Sequence, residues 1–365
     1  MLRPLRRCLS TAPRHGVVAR TCGFIRVEGV DSSKYLHGLI TNDIQPIQRD
    51  QIGYTAWLNQ RGRVIADSFV HCVSPGVFLL QTLSNHPQTT EFLMSHMRTF
   101  KLRSKVQISD VSSQFQAFAV LSRESNLLPK VRSFCSNSVQ GESLVSFTDP
   151  RTAALGGWVV APVGVAAAGT ALSTCTFAAQ SRLHSGVPQL GVDMIPEKSF
   201  PFECNLEWLN AVSFSKGCYL GQEQTARTHF TGQVRKRLIP IVLHSEPKHW
   251  SPETSVSSET PDLFPSWFKE SGNTFGVSAE EAITLPGHTP PAAAVGKVFS
   301  VCGNVALAQL RLEHVYETMD VASKVHLRIG DKCWGTPYFP SWWPPEETQR
   351  QRDRQLKLRP DSLQN

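Results

Sequence analysis

Residues 53–71 constrain the fold most. GYTAWLNQ (53–60) and RVIADSFVH (63–71) are extended-looking runs with aromatic and β-branched residues, and Arg61-Gly62 between them supplies a turn, so the pair reads as a β-hairpin. Before it, FIRVEGV (24–30) alternates in the manner of a strand. Asp31-Ser32-Ser33 then caps a helix over KYLHGLI (34–40), which Thr41-Asn42-Asp43 ends in a turn. A strand over GVFLLQTL (76–83) and a helix over TTEFLMSHMRTFK (89–101) follow. This order predicts an α+β unit over residues 23–110.

Residues 111–231 predict a second α+β part. QFQAFAVLS (114–122) and LGGWVVAP (155–162) read as strands around a polar, turn-rich passage, SFCSNSVQGESLVSFTDPR (133–151). A helix and turn follow over ALSTCTFAAQSRLHSGVP (171–188), and IPEKSFPFECNLEWLNAV (195–212) reads as a turn leading into a helix. Beyond Gly232, RLIPIVL, AVGKVFSVCGNVALAQLRL, VASKVHLRIG and WGTPYF are strand-like and predict a small β-barrel over 232–340. It is interrupted at 244–291 by a Ser-, Pro-, Glu- and Thr-rich stretch that reads as a disordered insertion, with LFPSWFK (263–269) inside it as a docking candidate. Residues 341–365 read as a charged, solvated tail.

Chemistry concentrates in Lys216-Gly217-Cys218-Tyr219-Leu220-Gly221-Gln222-Glu223. Lys216 lies two residues before the sulfur, and GQEQTAR opens a helix. A positive neighbour and the positive end of a helix both favour a thiolate, and Gly217 permits a bend that presents the side chain in a loop. Glu223 opposes this by like-charge repulsion. The alternative is a Cys buried in a helix-leading turn, since free Cys is among the most buried residue types. Cys204, without a local cation or glycine, reads as a packing residue.

The octapeptide, with Arg227 and the longer NAVSFSKGCYLGQEQTARTHF around it, closely resembles the signature of the folate-binding YgfZ/GcvT family, and most of all its mitochondrial branch of iron–sulfur cluster assembly factors. YLHGLITND with LNQRGRVIADSFV, Asp149-Pro150-Arg151 and RLHSGVPQLGVD are similar to further family passages. The resemblance implies a multi-domain, aminomethyltransferase-like folate-binding fold around a central cavity, with a C-terminal β-barrel. It implies that Cys218 is a reactive thiol or cluster-contact ligand, supported by Lys216, Gly217, Tyr219, Gly221, Gln222, Glu223 and Arg227. It also implies partnership with A-type iron–sulfur scaffold proteins and recipient [4Fe-4S] apoproteins, with late conversion of [2Fe-2S] units into [4Fe-4S] clusters for aconitase-like and radical-generating enzymes. For a tetrahydrofolate site the matching residues are Asp67, Arg182 and His184. Two departures weigh against one-carbon transfer. The aminomethyltransferases carry paired acids where this chain has Ala66-Asp67, and an acid where it has His184. An imidazole can hydrogen-bond a pterin, but when neutral it offers no fixed negative charge. Whether the chain is an enzyme therefore stays open, with a tetrahydrofolate-dependent aminomethyl or methyl transferase as the alternative to assembly.

Composition narrows the setting. Five arginines within residues 1–20, with no acid, account for all but two of the seven net positive charges. That Arg-rich segment, with Leu2, Leu5 and Leu9 on one helical face, predicts a mitochondrial transit peptide over residues 1–22 and delivery to the matrix. The near-neutral remainder, lacking an aromatic-rich RNA platform, argues against a nucleic-acid partner in spite of Arg235-Lys236-Arg237. No apolar run approaches the ~20 residues of a membrane-spanning helix. The nine cysteines form neither CxxC nor CxC, which disfavours a local four-Cys site. One conspicuous thiol fits a transient iron–sulfur cluster shared with a partner that supplies the other ligands.

Overall fold

The hairpin at 53–71 forms as its sequence predicts. In the computed structural model, β3 (Ile52–Leu58) pairs antiparallel with β4 (Val64–Ser74), with Tyr54 opposite Phe69 and Ala56 opposite Asp67. The structure describes residues 15–50, 52–84, 88–122, 145–164, 175–230, 232–247, 275–285, 294–319 and 326–347. With β2 (Phe24–Glu28), β5 (Val77–Thr82) and β6 (Gln107–Asp110), the hairpin makes a five-stranded sheet of order β3-β4-β5-β2-β6. Helices α1 (Ser32–His37), α2 (Ile44–Asp50) and α3 (Gln88–Thr99) accompany this sheet.

The second sheet has the order β1-β7-β9-β8, from β1 (His15–Arg20), β7 (Phe115–Ser122), β8 (Val145–Thr148) and β9 (Gly157–Pro162). The two sheets share one apolar core, closed by aromatic edge contacts. Phe69 of β4 meets Phe147 of β8 at 5.4 Å and Trp158 of β9 at 5.5 Å between ring centroids. Helix α4 (Cys175–His184) leads towards the third unit. That unit is a closed barrel of order β10-β13-β12-β11-β14-β15, from β10 (Lys236–His244), β11 (Ala282–Thr284), β12 (Gly296–Cys302), β13 (Val305–Arg311), β14 (Leu327–Ile329) and β15 (Cys333–Pro337). Closure leaves no free strand edge.

Several boundaries differ from the sequence reading. His15–Arg20, assigned above to a transit peptide, belongs to the fold: it pairs with β7 from His15 opposite Ser122 to Arg20 opposite Ala117, a partner no local pattern reveals. Residues 1–14 lie outside the described residues. Asp43 not only ends a turn but starts α2, its Oδ1 accepting from Gln45 N at 2.9 Å; Pro46 is tolerated there because the N–H it lacks would have no intrahelical acceptor in the first turn. The polar passage at 133–151 contains a strand, β8. The helix expected within 195–212 is only a 3₁₀ turn, Phe202–Cys204, because Asn205 turns left-handed at φ 58. Residues 275–285, placed within the insertion, return to the barrel: Val277 is buried and β11 bridges β12 and β14. The LFPSWFK segment lies outside the described residues. A helix, α6 (Leu312–Met319), follows β13. The charged tail starts later than residue 341, since Trp343 is buried and stacks on Phe339 at 4.5 Å.

Arg237 ties the body to the barrel. Buried on β10, it donates to the carbonyl of Phe202 at 2.7 Å and to Asn205 Oδ1 at 3.1 Å. It also pairs with Glu207 at 2.6 Å and lies 3.6 Å from the centroid of the Trp208 ring. Asn205 answers by donating to Leu238 O at 2.7 Å. Removing one member of a buried pair strands the other charge. Arg237→Ala should therefore lower unfolding stability by about 3–5 kcal/mol, measured by urea denaturation, and Glu207→Gln should partly restore it.

Candidate functional site

The signature residues form a loop pinned on both sides of its exposed thiol. At its entry Ser213 N donates to Thr41 O at 3.0 Å. Lys216 turns inward, and its ammonium donates to the carbonyls of His37, Ile40 and Asn42 at 2.6, 2.7 and 2.9 Å while lying 4.8 Å from the centre of the Tyr219 ring. These three acceptors match its three N–H bonds and include carbonyls beyond the last turn of α1. Burial draws the Lys216 pKa down to about 8, opposed by Asp43; the carbonyls favour the ammonium form at neutral pH. Leu220 N donates to Gly38 O at 2.9 Å, and Tyr219 N donates to Gln222 Oε1 at 3.0 Å.

Gly221 then brings the loop against the first hairpin. Its φ is +76, and a Cβ there would lie 2.3 Å from Asn59 O. Gly62 (φ +72) faces it from the hairpin turn, where a Cβ would lie 3.0 Å from Gly221 O. Two backbones approach where side chains would hold them apart. Helix α5 (Gln222–Phe230) starts at once, with Glu223 and Arg227 exposed on it.

Cys218 remains. It is the exposed thiol among the described cysteines, held between the Lys216 tether and the Tyr219–Gln222 bond. Lys216 is engaged by backbone carbonyls, so it fixes the loop. His37, which sequence reading missed, lies close by: its Nε2 is 3.9 Å from where a Gly217 Cβ would sit, and its Nδ1 is 3.5 Å from Asp43 Oδ1. Burial and Lys216 lower its pKa, with Asp43 opposing, which leaves a neutral imidazole beside the loop. No sequence signal joined it to Cys218. Among the described residues no three His, Cys, Asp or Glu side chains gather to hold a metal. This face can donate one soft sulfur ligand to iron that another molecule holds.

Asp67 and Arg182 belong to a second place, a cavity of about 240 Å³ between the sheets that Arg151, Trp158 and Gln189 also line. Asp149 and Arg151 form a buried two-pronged pair in its wall at 2.9 and 2.7 Å, and Trp158 Nε1 donates to Asp149 at 2.8 Å. Tyr54 donates to Asp67 Oδ2 at 3.0 Å, while Asp67 Oδ1 is buried with no hydrogen-bond partner. Burial pushes the Asp67 carboxyl up to about 6 against the pull of Arg151 and Tyr54. Arg182 is engaged by Val187 O and by Asp193. His184 is not among the cavity's lining residues: its Nδ1 is 3.0 Å from the Tyr338 hydroxyl of the barrel, and burial lowers its pKa to about 4. Its expected place in a folate site is corrected accordingly; it is a neutral joint between α4 and the barrel. For tetrahydrofolate the fit is partial. Asp67 Oδ1 is a spare acceptor suited to a pterin's donor edge, but the volume falls below the ~300–1,000 Å³ of sites that enclose a drug-sized ligand, so the glutamyl end would lie outside.

Residues 17–147 match the GCVT N-terminal domain family, and residues 235–345 match the CAF17 C-terminal beta-barrel domain family. The chain is 32% identical to the mitochondrial iron–sulfur cluster assembly factor IBA57 homolog of Mycosarcoma maydis, covering 89% of this chain and 84% of that protein. The mitochondrial IBA57 of Mus musculus is 30% identical, covering 92% and 88% respectively, and that of Homo sapiens is 30% identical, covering 88% and 83%. Its fold is similar to the glycine cleavage system aminomethyltransferase T of Bartonella henselae, with a TM-score of 0.65 at 14% identity, covering 90% of this chain and 86% of that one.

Two outcomes test this geometry. Lys216→Met should cost about 1–3 kcal/mol of stability in denaturant melts by leaving three carbonyls without their donor, and it should speed amide exchange at Leu220. For Asp67, a carboxyl pKa raised from 3.8 to about 6 means that the folded state keeps a proton the unfolded chain has lost. Stability should then fall as pH rises from about 4 to 6. In Asp67→Asn that fall should vanish, leaving the variant more stable at pH 7.5 by on the order of 2 kcal/mol.

Proposed function

Since this chain belongs to the IBA57 family of mitochondrial iron–sulfur cluster assembly factors, we propose that it acts late in mitochondrial cluster assembly, presenting Cys218 to a cluster carried by an A-type scaffold protein. The supporting observation is the exposure of Cys218 on an otherwise pinned loop. A thiolate is the usual protein ligand of iron–sulfur clusters, and four are commonly needed. Cys218 supplies one, and the scaffold supplies the others. The cluster is cargo: its iron exchanges a ligand for Cys218 Sγ while the scaffold retains its hold. Joining two such [2Fe-2S] units into a [4Fe-4S] cluster needs electrons, which a separate one-electron reductant delivers. Recipients are [4Fe-4S] apoproteins of the aconitase-like and radical-generating kinds, in the matrix.

The pinned loop has a physical role in this reading. Ligand exchange between two proteins needs a thiol whose position is already fixed, because ordering a loop at the moment of encounter costs conformational entropy. Lys216, Gly221 and Gln222 remove that cost in advance.

Folate binding is a second reading, favoured by the buried, unpartnered Oδ1 of Asp67 beside the cavity. Tetrahydrofolate would bring a one-carbon carrier. Asp67 would accept from its pterin edge, and Arg151 and Arg182 would hold the wall in shape through their carboxylate partners. The second acid used by the transferases is replaced by Ala66, which favours binding without turnover.

Cys218→Ser should fold with an unchanged melting temperature yet fail to restore [4Fe-4S] enzyme activity in cells lacking the protein, while [2Fe-2S] proteins stay normal. Mixed with a [2Fe-2S]-loaded A-type scaffold, the wild type should change the visible spectrum of the cluster and the variant should not. Full rescue by the variant would refute the role of the thiol.

A further inference from the structure

The signature helix α5 has a second use. Beside it lies a groove of about 740 Å³, between α5 and the barrel's α6, whose walls include Phe202, Gln224, Thr228, Arg235, Arg311 and Tyr316. On the hairpin side of the same helix a cleft carries Arg61, Arg63 and Lys198. Gly62 of the hairpin would set a Cβ 3.1 Å from Gln224 Cβ, so groove and cleft adjoin across α5.

Charge is concentrated here. Groove and cleft together hold six cations and three glutamates, an excess of three, while residues 21–365 as a whole carry an excess of only two. Lys236 is 3.3 Å from Glu203 and Arg311 is 3.9 Å from Glu313. The side chains of Arg235 and Arg61 have no carboxylate partner among the described residues. Positive charge that a fold gathers and leaves uncompensated raises the local concentration of anionic partners.

The position suits the cargo. Gln224 and Thr228 stand about 3 and 9 Å along the α5 axis from Gln222, and Cys218 lies one short loop before that. A segment of about seven extended residues, at ~3.3 Å each, is longer than the stretch of α5 from Gln222 to Thr228. We propose that this groove docks an acidic, extended segment of the protein that delivers the cluster, so that carboxylates seat against Arg235 and Arg311 while its iron meets Cys218. This rests on the assembly reading above. A peptide is favoured over nucleic acid because glutamates interrupt the positive band and apolar faces of Phe202 and Tyr316 line it; a peptide can space its acids to meet Arg235 and Arg311 and set apolar residues elsewhere, whereas a phosphodiester chain carries a charge at every unit and meets Glu203 and Glu313 with no choice of spacing.

The test measures association of a [2Fe-2S]-loaded A-type scaffold with the full chain, by stopped-flow and calorimetry at 50 mM and 500 mM salt. Both arginines are on the groove surface, so Arg235→Glu with Arg311→Glu should leave the melting temperature intact. The pair should slow association about tenfold at low salt, a difference that shrinks at high salt, as expected when salt screens the long-range steering by exposed charges. Thr228→Trp, which fills the groove without altering charge, should weaken affinity at both salts. Cys218→Ser should lose the spectral change while keeping the salt-sensitive association. Unchanged association in both groove variants, with the spectral change still dependent on Cys218, would overturn the docking site and leave the thiol's role standing. A scaffold that binds neither wild type nor variants would overturn both. Displacement of the scaffold by single-stranded RNA, lost on charge reversal, would assign the groove to nucleic acid and overturn the proposal.

Discussion

A half-buried ammonium, gripped by three carbonyls, holds the Cys218 loop in place. Lys216 reaches His37, Ile40 and Asn42, at the exit of α1, from a position 174 to 179 residues later in the chain. Charge-assisted bonds of this kind are stronger than neutral ones, and all three donors are used. Where the lysine enters the body, the sulfur two residues later is left at the surface. Gly221 completes the constraint from the other side by letting the loop backbone touch the hairpin turn at Asn59 and Gly62. The loop thus joins the exit of α1 to the turn of the first hairpin, and Cys218 stands exposed on it.

The same fold has a cavity between its sheets whose wall charges are largely paired with one another. Asp149 and Arg151 satisfy one another in the wall, and Asp193 takes Arg182. Charges that would otherwise face a ligand are neutralised internally. Asp67 alone retains a spare oxygen, at the cost of a carboxyl pushed up towards neutrality. The architecture shared with an aminomethyltransferase is therefore present, while the proposed chemistry lies on the loop and helix on the outside of the body. This is the pattern expected when a fold hosts a site grafted onto its surface.

Much of the framework was legible. The hairpin at 52–74, the strand at 77–82 and helix α3 follow from local periodicity and turn residues, and barrel strands follow from alternating runs between glycines. What stayed hidden shares one cause. Strands β1, β8 and β11 are short or lie in polar, arginine-rich or serine-rich surroundings, and they become strands because a distant strand offers hydrogen bonds. The short turn at Phe202–Cys204 failed as a helix for a local reason, the left-handed Asn205, whose side chain is fixed by Leu238 of the barrel.

By itself the sequence determined that Cys218 would precede a helix, that glycines would flank it, and that strands would close a barrel after it, because spacing and residue type act over a few neighbours. Tertiary structure alone decided where Lys216 sends its charge, that His184 meets Tyr338 instead of the cavity, and that cations from the hairpin, the linker and the barrel gather along one helix. Those outcomes depend on distances between segments far apart in the chain. Electrostatics and hydrogen bonding are set by proximity in space, and adjacency in sequence is a poor guide to it.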